Sequence, residues 1–163
     1  MSEAWIKFQG IARIVSELSN KPAESDASHH QFDVRNIHPI LPKKVKTLFD
    51  DGHFSQATFE ALKFLDKEVA RIANSSESGF KLMMAAFPES SPLIKLTPCS
   101  NETERNEQKG YQFLFAGSIL AIRNPRGHEY SIHDSPDECL DYLAVTSVLL
   151  RRLQSAGYQL TKT

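Results

Sequence analysis

Two side chains that suit phosphodiester chemistry stand close together near the middle of the second half of the chain, in Arg123-Asn-Pro-Arg-Gly-His128. The guanidinium of Arg123 can fork onto two phosphate oxygens and stabilise charge that grows on them in a transition state. The imidazole of His128 can take up and return a proton near neutral pH. We therefore take Arg123 and His128 as a candidate phosphodiester site.

The predicted helices on either side should hold this pair in place. A helix over 103–122 is apolar almost all round in its second half, so we expect it to be central, with Phe113 and Phe115 in the core. Asn124-Pro125 should end it, because proline disfavours the α conformation in the preceding residue. Ser135-Pro-Asp-Glu138 is a capping box with proline at the first helical position, and it predicts the start of the last helix.

The rest of the main domain also has helical periodicity. We predict helices over about 42–50, 53–74 and 80–87, the first closed by Gly52 in the left-handed conformation. The mixed charges of the helix over 53–74 are expected to form a solvated face: Glu60, Lys63, Asp66, Lys67, Glu68 and Arg71. No segment alternates with a period of two, so the predicted fold is all-α, an up-down four-helix bundle with accessory short helices.

The chain organisation predicted from these patterns has three parts. Residues 1–35 form an N-terminal helix and a polar linker, residues 36–157 the helical domain, and residues 158–163 a tail. The N-terminal helix is indicated by apolar residues at spacings of three and four between Trp5 and Leu18.

Composition excludes several classes of protein. The 163 residues carry 19 basic and 20 acidic side chains, so no global positive field can attract a nucleic acid. Cys99 and Cys139 lack the spacing of a zinc site or a disulfide framework. No apolar run approaches the length of a membrane span and no signal peptide is recognisable, so we expect a cytoplasmic protein without a membrane partner.

Longer strings around the pair are similar to a known family. They are His38-Pro39, Leu48-Phe-Asp-Asp-Gly-His-Phe-Ser-Gln-Ala-Thr-Phe-Glu-Ala-Leu62, Arg105-Asn-Glu-Gln-Lys-Gly-Tyr-Gln-Phe-Leu-Phe-Ala-Gly117 and Ile122-Arg-Asn-Pro-Arg-Gly-His128. Over residues 37–153 the chain resembles the Ymh, or Abi-like, family of bacterial proteins, which is grouped with the HEPN superfamily. The Arg-x4-His pattern of Arg123 and His128 resembles the ribonuclease motif of that superfamily.

The resemblance implies a metal-independent endoribonuclease, a toxin or anti-phage effector, in which the Arg and His of two protomers meet in one cleft of a homodimer. His128 is then the general base or acid, Arg123 binds the scissile phosphate, and Asn124 orients His128 or the ribose. Further backbone contacts to RNA are expected from Arg126 and from a basic cluster, Lys43, Lys44 and Lys46. RNA supplies its own nucleophile, the 2′-OH, so we expect neither a metal nor another cofactor.

One more pattern concerns Tyr130. Arg-x4-His-x-Tyr resembles the toxin half of HEPN–nucleotidyltransferase pairs, in which a partner enzyme silences the toxin by attaching nucleotides to the tyrosine. Tyr130 is therefore a candidate modification site, and an antitoxin or defence-system protein a candidate partner. The alternative is that Tyr130 is a packing residue.

Other interpretations stay open from sequence alone. Arg123 is also placed to cap a helix C-terminus, and His128 to be a surface loop residue. The lysine cluster also fits the solvated face of a short helix. The chain can therefore be a catalytically inactive HEPN-like module that binds a nucleotide, an RNA or a protein, or a regulator that uses its N-terminal helix to bind a partner.

Overall fold

The structure, a computed structural model, describes residues 30–129 and 131–161. These residues form helices and connecting loops with no strand, which confirms the all-α prediction. No helix in the described ranges is long and apolar enough to cross a membrane. The predicted N-terminal helix, most of the predicted linker and Tyr130 lie outside the described residues.

The chain divides into two units between Val34 and Arg35. In the first unit, one helical turn is described, α1 (Gln31–Val34). The described elements of the second unit are α2 (Lys43–Asp50), α3 (Phe54–Ile72), α4 (Gly79–Ala86), α5 (Glu102–Gly117), a π-helical segment (Ser118–Arg123), α6 (Asn124–His128) and α7 (Pro136–Ser155).

Helix ends follow the local signals of the sequence. The Ser135 hydroxyl accepts from the Glu138 amide at 3.2 Å, and the Glu138 carboxylate accepts from the Ser135 amide at 2.8 Å, so the predicted capping box of α7 is confirmed. After α2, Gly52 has φ +78°, as predicted. The amide of His53 donates to the Leu48 carbonyl at 2.7 Å and that of Gly52 to the Phe49 carbonyl at 3.0 Å, which completes a Schellman motif.

Helix α3 is the centre of the second unit. It packs against α2, α4, α6, α7 and the π-helical segment. Its apolar stripe is fully buried at Ala61, Leu62, Leu65 and Val69. Phe87, after α4, stacks on Phe115 of α5 with ring centroids 4.3 Å apart, so the predicted core position of Phe115 is confirmed.

The predicted end of the central helix at Asn124-Pro125 is wrong. Asn124 has helical φ −63° and ψ −44°, and the helix continues through α6 to His128. In a regular α-helix the ring of Pro125 would clash with a carbonyl one turn earlier. Here that turn is π-helical, with the Asn124 amide donating to the Ile119 carbonyl five residues back. The wider turn accommodates the proline without ending the helix.

The prediction that this helix is covered all round is also wrong. Phe113, Leu114 and Leu120 have 56%, 57% and 53% of their surface exposed, although Phe115, Ala116 and Ile119 are buried. The exposed residues share one side of the helix, whose opposite side packs on α3 and α4. We call Phe113, Leu114 and Leu120 the apolar face.

The predicted solvated charge run of α3 divides between surface and interior. Asp66 and Glu68 are 2% and 4% exposed, contrary to the prediction. Asp66 accepts from the Gly79 amide at 2.7 Å and so fixes the start of α4. Glu68 accepts from Arg71 and from the Thr161 amide, which holds the C-terminal residues beside α3. The helical pattern places these carboxylates on α3 but does not reveal the loops that cover them.

Candidate active site around Phe59

A buried ion pair fixes the segment that contains the predicted pair. The guanidinium of Arg126 donates to the two carboxylate oxygens of Asp134 at 2.7 and 2.5 Å, and to the Ile122 carbonyl at 2.7 Å. The two side chains are 7% and 3% exposed. Burial alone would lower the pKa of Arg126, but the hydrogen bonds and charge of Asp134 outweigh it and raise that pKa. Arg126 also lies over the Tyr142 ring, 4.3 Å from its centroid.

The loop after α6 is also tied to the first turn of α3. The Ser55 hydroxyl donates to the Ile132 carbonyl at 3.0 Å and accepts from the Asp134 amide at 2.8 Å. Thr58, one turn further along α3, donates to the Asp134 carboxylate at 3.0 Å. The backbone on both sides of His133 is therefore held against α3.

Phe59 of α3 lies against the backbone of α6 at Gly127. A Cβ built on Gly127 would lie 2.8 Å from Cε2 of Phe59, nearer than real Cβ contacts come. Only glycine lets the α6 backbone approach this ring as it does. On the same ring lies the guanidinium of Arg123, with Cζ 5.3 Å from the centroid.

A cavity of about 280 Å³ opens between α3, α6 and the following loop. Its lining combines the Phe59 ring with polar and titratable groups. It consists of Ser55, Gln56, Phe59, Arg126, Gly127, His128, Glu129, Ile132 and His133. His128 and His133 are both exposed, and neither forms a hydrogen bond with another described residue. The cavity thus presents two available imidazoles beside an aromatic wall.

Arg123 does not line the cavity, and its relation to His128 is indirect, through Phe59. His128 borders the cavity that Phe59 lines, and the guanidinium of Arg123 lies on the Phe59 ring. Nη1 of Arg123 donates to the Asn124 side-chain oxygen at 3.2 Å, while Nε is buried without a hydrogen-bond partner. Asn124 thus contacts the arginine of the predicted pair.

The lysine cluster lies on α2, and its members do not line the cavity. Lys44 forms an ion pair with Glu60 of α3 at 3.1 Å, and Glu60 also accepts from Lys63 at 3.3 Å. Lys43 and Lys46 are exposed. Arg126, the other residue predicted to contact the RNA backbone, forms the buried ion pair with Asp134 instead.

Cys139 of α7 packs beside this network but has no suitable chemistry. It is fully buried, and burial raises the pKa of its thiol to about 11. A thiol that stays protonated at neutral pH is a poor nucleophile and metal ligand. Among the described residues, no three His, Cys, Asp or Glu side chains are grouped to hold a metal ion.

Comparison with known families places this site in context. A model described as "Protein of unknown function (Hypoth_ymh)" matches residues 35–153. The chain belongs to the Ymh family. The resemblance drawn from the sequence is confirmed at that level. No curated protein and no solved structure matches significantly.

Every residue of the cavity lies inside the region that defines this Ymh protein. Sequence reasoning located Arg123, Asn124 and His128, but it missed Phe59, Ser55 and His133. Phe59 and Ser55 stood within one of the quoted strings, yet nothing in their type or spacing indicates a cavity wall. His133 could have been found from the sequence, because it is a second imidazole five residues after His128 and just before the capping box.

Proposed function

We propose that this Ymh protein is a metal-independent endoribonuclease of the HEPN type. One observation carries the proposal: the His128 imidazole borders a cavity walled by Phe59, and the Arg123 guanidinium lies on that same ring. A proton-transfer group and a phosphate-binding group thus share one support. These are two of the groups needed for cleaving RNA through its own hydroxyl group.

The reaction needs no external nucleophile. The 2′-oxygen attacks the adjacent phosphorus, a bond from phosphorus to the 2′-oxygen forms, and the bond to the 5′-oxygen of the next nucleotide breaks. One proton leaves the 2′-OH and one proton reaches the departing 5′-oxygen. The products are a 2′,3′-cyclic phosphate and a 5′-hydroxyl end. Arg123 holds the phosphate and His128 performs one of the proton transfers.

Binding of the RNA backbone falls to few side chains. The net charge is −1, and Lys44 and Arg126 already pair with acids of the fold. Lys43 and Lys46 are the exposed members of the predicted set. In the proposal they contact phosphates outside the cavity, and Arg126 has a positioning role instead. With so few contacts, RNA affinity outside the cavity should be modest and sensitive to salt.

The proposed active form is a homodimer. The apolar face exposes more than half of each of three large side chains on the helix that leads directly to Arg123. A second copy docked there would bury this surface and bring two Arg–His pairs together. The complete proposal is a four-helix HEPN bundle in the cytoplasm, acting as a toxin or anti-phage effector. Its activity is restrained by an antitoxin or a defence-system partner, with Tyr130 as the point of modification.

The proposal is tested by incubating purified protein with total RNA. We expect cleavage that persists in EDTA and leaves 2′,3′-cyclic phosphate ends. RNA with a 2′-O-methyl group at the cut site, and DNA of the same sequence, should remain intact. His128→Ala and Arg123→Ala should each lower the rate by about 10²-fold or more.

The matched control is His53→Ala, which removes an exposed imidazole that does not line the cavity. It should cleave at the wild-type rate. Cleavage of DNA would contradict attack by the 2′-OH. Wild-type rates in both site variants would favour the alternative, a module that binds RNA, a nucleotide or a protein without cleaving.

A further inference from the structure

We propose that His133 is the second proton-transfer group of this site; the inference rests on the proposed ribonuclease function. Cleavage by the 2′-OH moves two protons at two different oxygens. In an in-line displacement these oxygens lie on opposite sides of the phosphorus. One imidazole positioned on one side cannot serve both, so a second group is needed on the other, and His133 is the candidate that borders the same cavity of the same chain.

The second group comes from a different segment of the chain that also borders the cavity. His128 is the last residue of α6, and His133 belongs to the loop that follows. Both imidazoles line the cavity, together with the Phe59 ring that carries Arg123. The whole cavity that both residues border has a volume of about 280 Å³.

His133 is held as a proton-transfer group has to be. The Ser55 hydroxyl bonds to the carbonyl of the residue before it and to the amide of the residue after it, at 3.0 and 2.8 Å. Asp134, the next residue, is fixed by Arg126 and Thr58. The backbone is therefore anchored, while the imidazole is exposed and forms no hydrogen bond with another described residue. A structural histidine in this protein looks different: His38 is 6% exposed, and its ring bonds to Gln154 and to the Ile40 amide.

Glu129 is the other titratable group that borders the cavity without a buried partner. Its carboxylate would repel the negative phosphate, whereas a protonated imidazole attracts it. The charge of the substrate thus favours His133 over Glu129 as the partner of His128.

The experiment compares His128→Asn and His133→Asn on two substrates. One is an ordinary RNA oligonucleotide, and the other carries a 5′-bridging sulfur at the cut site. Sulfur leaves without being protonated, so this substrate bypasses the acid but still needs the base. On ordinary RNA both variants should lose about 10²-fold or more in rate. On the sulfur substrate only one of them, the variant lacking the acid, should recover most of that loss.

The pH dependence gives a second readout. The wild-type rate should rise and fall with pH, and His133→Asn should lose one of the two limbs. His53→Asn should keep both limbs and the wild-type rate, and Glu129→Gln should keep both limbs. Because His133 is exposed and its ring bonds to no other described residue, its variant should unfold at the wild-type urea concentration.

The outcomes separate the two proposals. If the wild-type protein leaves RNA intact, the ribonuclease function and the role of His133 both fall. If the wild type cleaves and His133→Asn matches it in rate and pH profile, the role of His133 alone is overturned. The same holds if neither variant gains on the sulfur substrate, or if Glu129→Gln loses a limb while His133→Asn keeps both.

Discussion

The ion pair between Arg126 and Asp134 fixes both ends of the loop that bears His133. Its two side chains are almost completely buried, and three further hydrogen-bonding groups surround them: Thr58, Ser55 and the Ile122 carbonyl. Breaking such a pair leaves one charge buried without its partner, which is far more costly than losing an exposed pair. The carboxylate of Asp134 does not line the cavity, yet the position of the cavity wall depends on it.

We expect Asp134→Ala to lower the free energy of unfolding by about 3–5 kcal/mol, because the guanidinium of Arg126 stays buried and unpaired. The control is Lys81→Ala, which removes the exposed ion pair with Glu77, whose side chains are 77% and 43% exposed. That change should cost no more than about 0.5 kcal/mol. Urea denaturation measures both. Equal costs for the two variants would contradict the structural role given to the buried pair.

Sequence patterns reveal the types of these residues but not their pairing. Arg126 is three residues after Arg123, and the sequence alone predicts a second phosphate contact there. That prediction rests on the charge of Arg126, because the sequence does not show which group the charge pairs with. Asp134 looks like part of the approach to the α7 capping box. The pairing depends on the path of the loop between them, and no local rule specifies that path.

At the scale of elements, the contact between α3 and α6 determines the shape of the site. The α6 backbone approaches Phe59 so closely that only a glycine fits at position 127. The Phe59 ring is in turn the surface on which Arg123 rests. Displacing this ring would move one wall of the cavity and the support of the guanidinium together.

Gly127→Ala should therefore lower the cleavage rate by about 10²-fold, because misplacement by about 1 Å is that costly for a positioned group. Gly110→Ala is the matched control: it lies in α5, and an added Cβ meets nothing within 4 Å. It should leave the rate unchanged and stabilise the protein by about 0.5–1 kcal/mol. If Gly127→Ala behaves like Gly110→Ala in both measurements, the close approach to Phe59 is unimportant.

Helix positions were the most predictable part of this protein. Caps and periodicity located α2, α3, α4 and α7 to within a few residues, because those signals are local. Pro125 misled the prediction, since the rule for proline assumes an α-helical turn before it. The π-helical turn that accommodates the ring has no signature in the sequence, because it reflects packing against α3 and α4.

At the scale of the whole molecule, the apolar face is the feature that no described part of the chain covers. Phe113, Leu114 and Leu120 are more than half exposed on the helix that carries Arg123. Composition could not distinguish this helix from one buried within its own domain, because both have apolar residues on every side. The two kinds of helix differ in whether the surface that covers them belongs to the same chain. In the proposal, the surface that covers this helix belongs to a second copy.

We expect light scattering to give twice the chain mass of 18.4 kDa for the wild-type protein. Leu120→Asp should convert it to a monomer and abolish RNA cleavage, because a charge in an apolar interface prevents docking. The control is Leu93→Asp, at a loop residue with a similar exposed fraction of 56%. It should remain dimeric and active. A monomeric wild type that cleaves RNA would rule out the shared cleft.

The π-helical segment has a consequence for how this protein tolerates change. A π-type turn holds about one residue more than an α-type turn, and each residue of a helix turns the chain by about 100°. The segment thus sets the angular offset between the side of the helix that bears Leu114 and the side that bears His128. Deleting one residue between Ser118 and Arg123 would give ordinary α-helical winding, in which the ring of Pro125 would meet the carbonyl one turn earlier. The number of residues in this segment therefore has to be kept as long as Pro125 follows it.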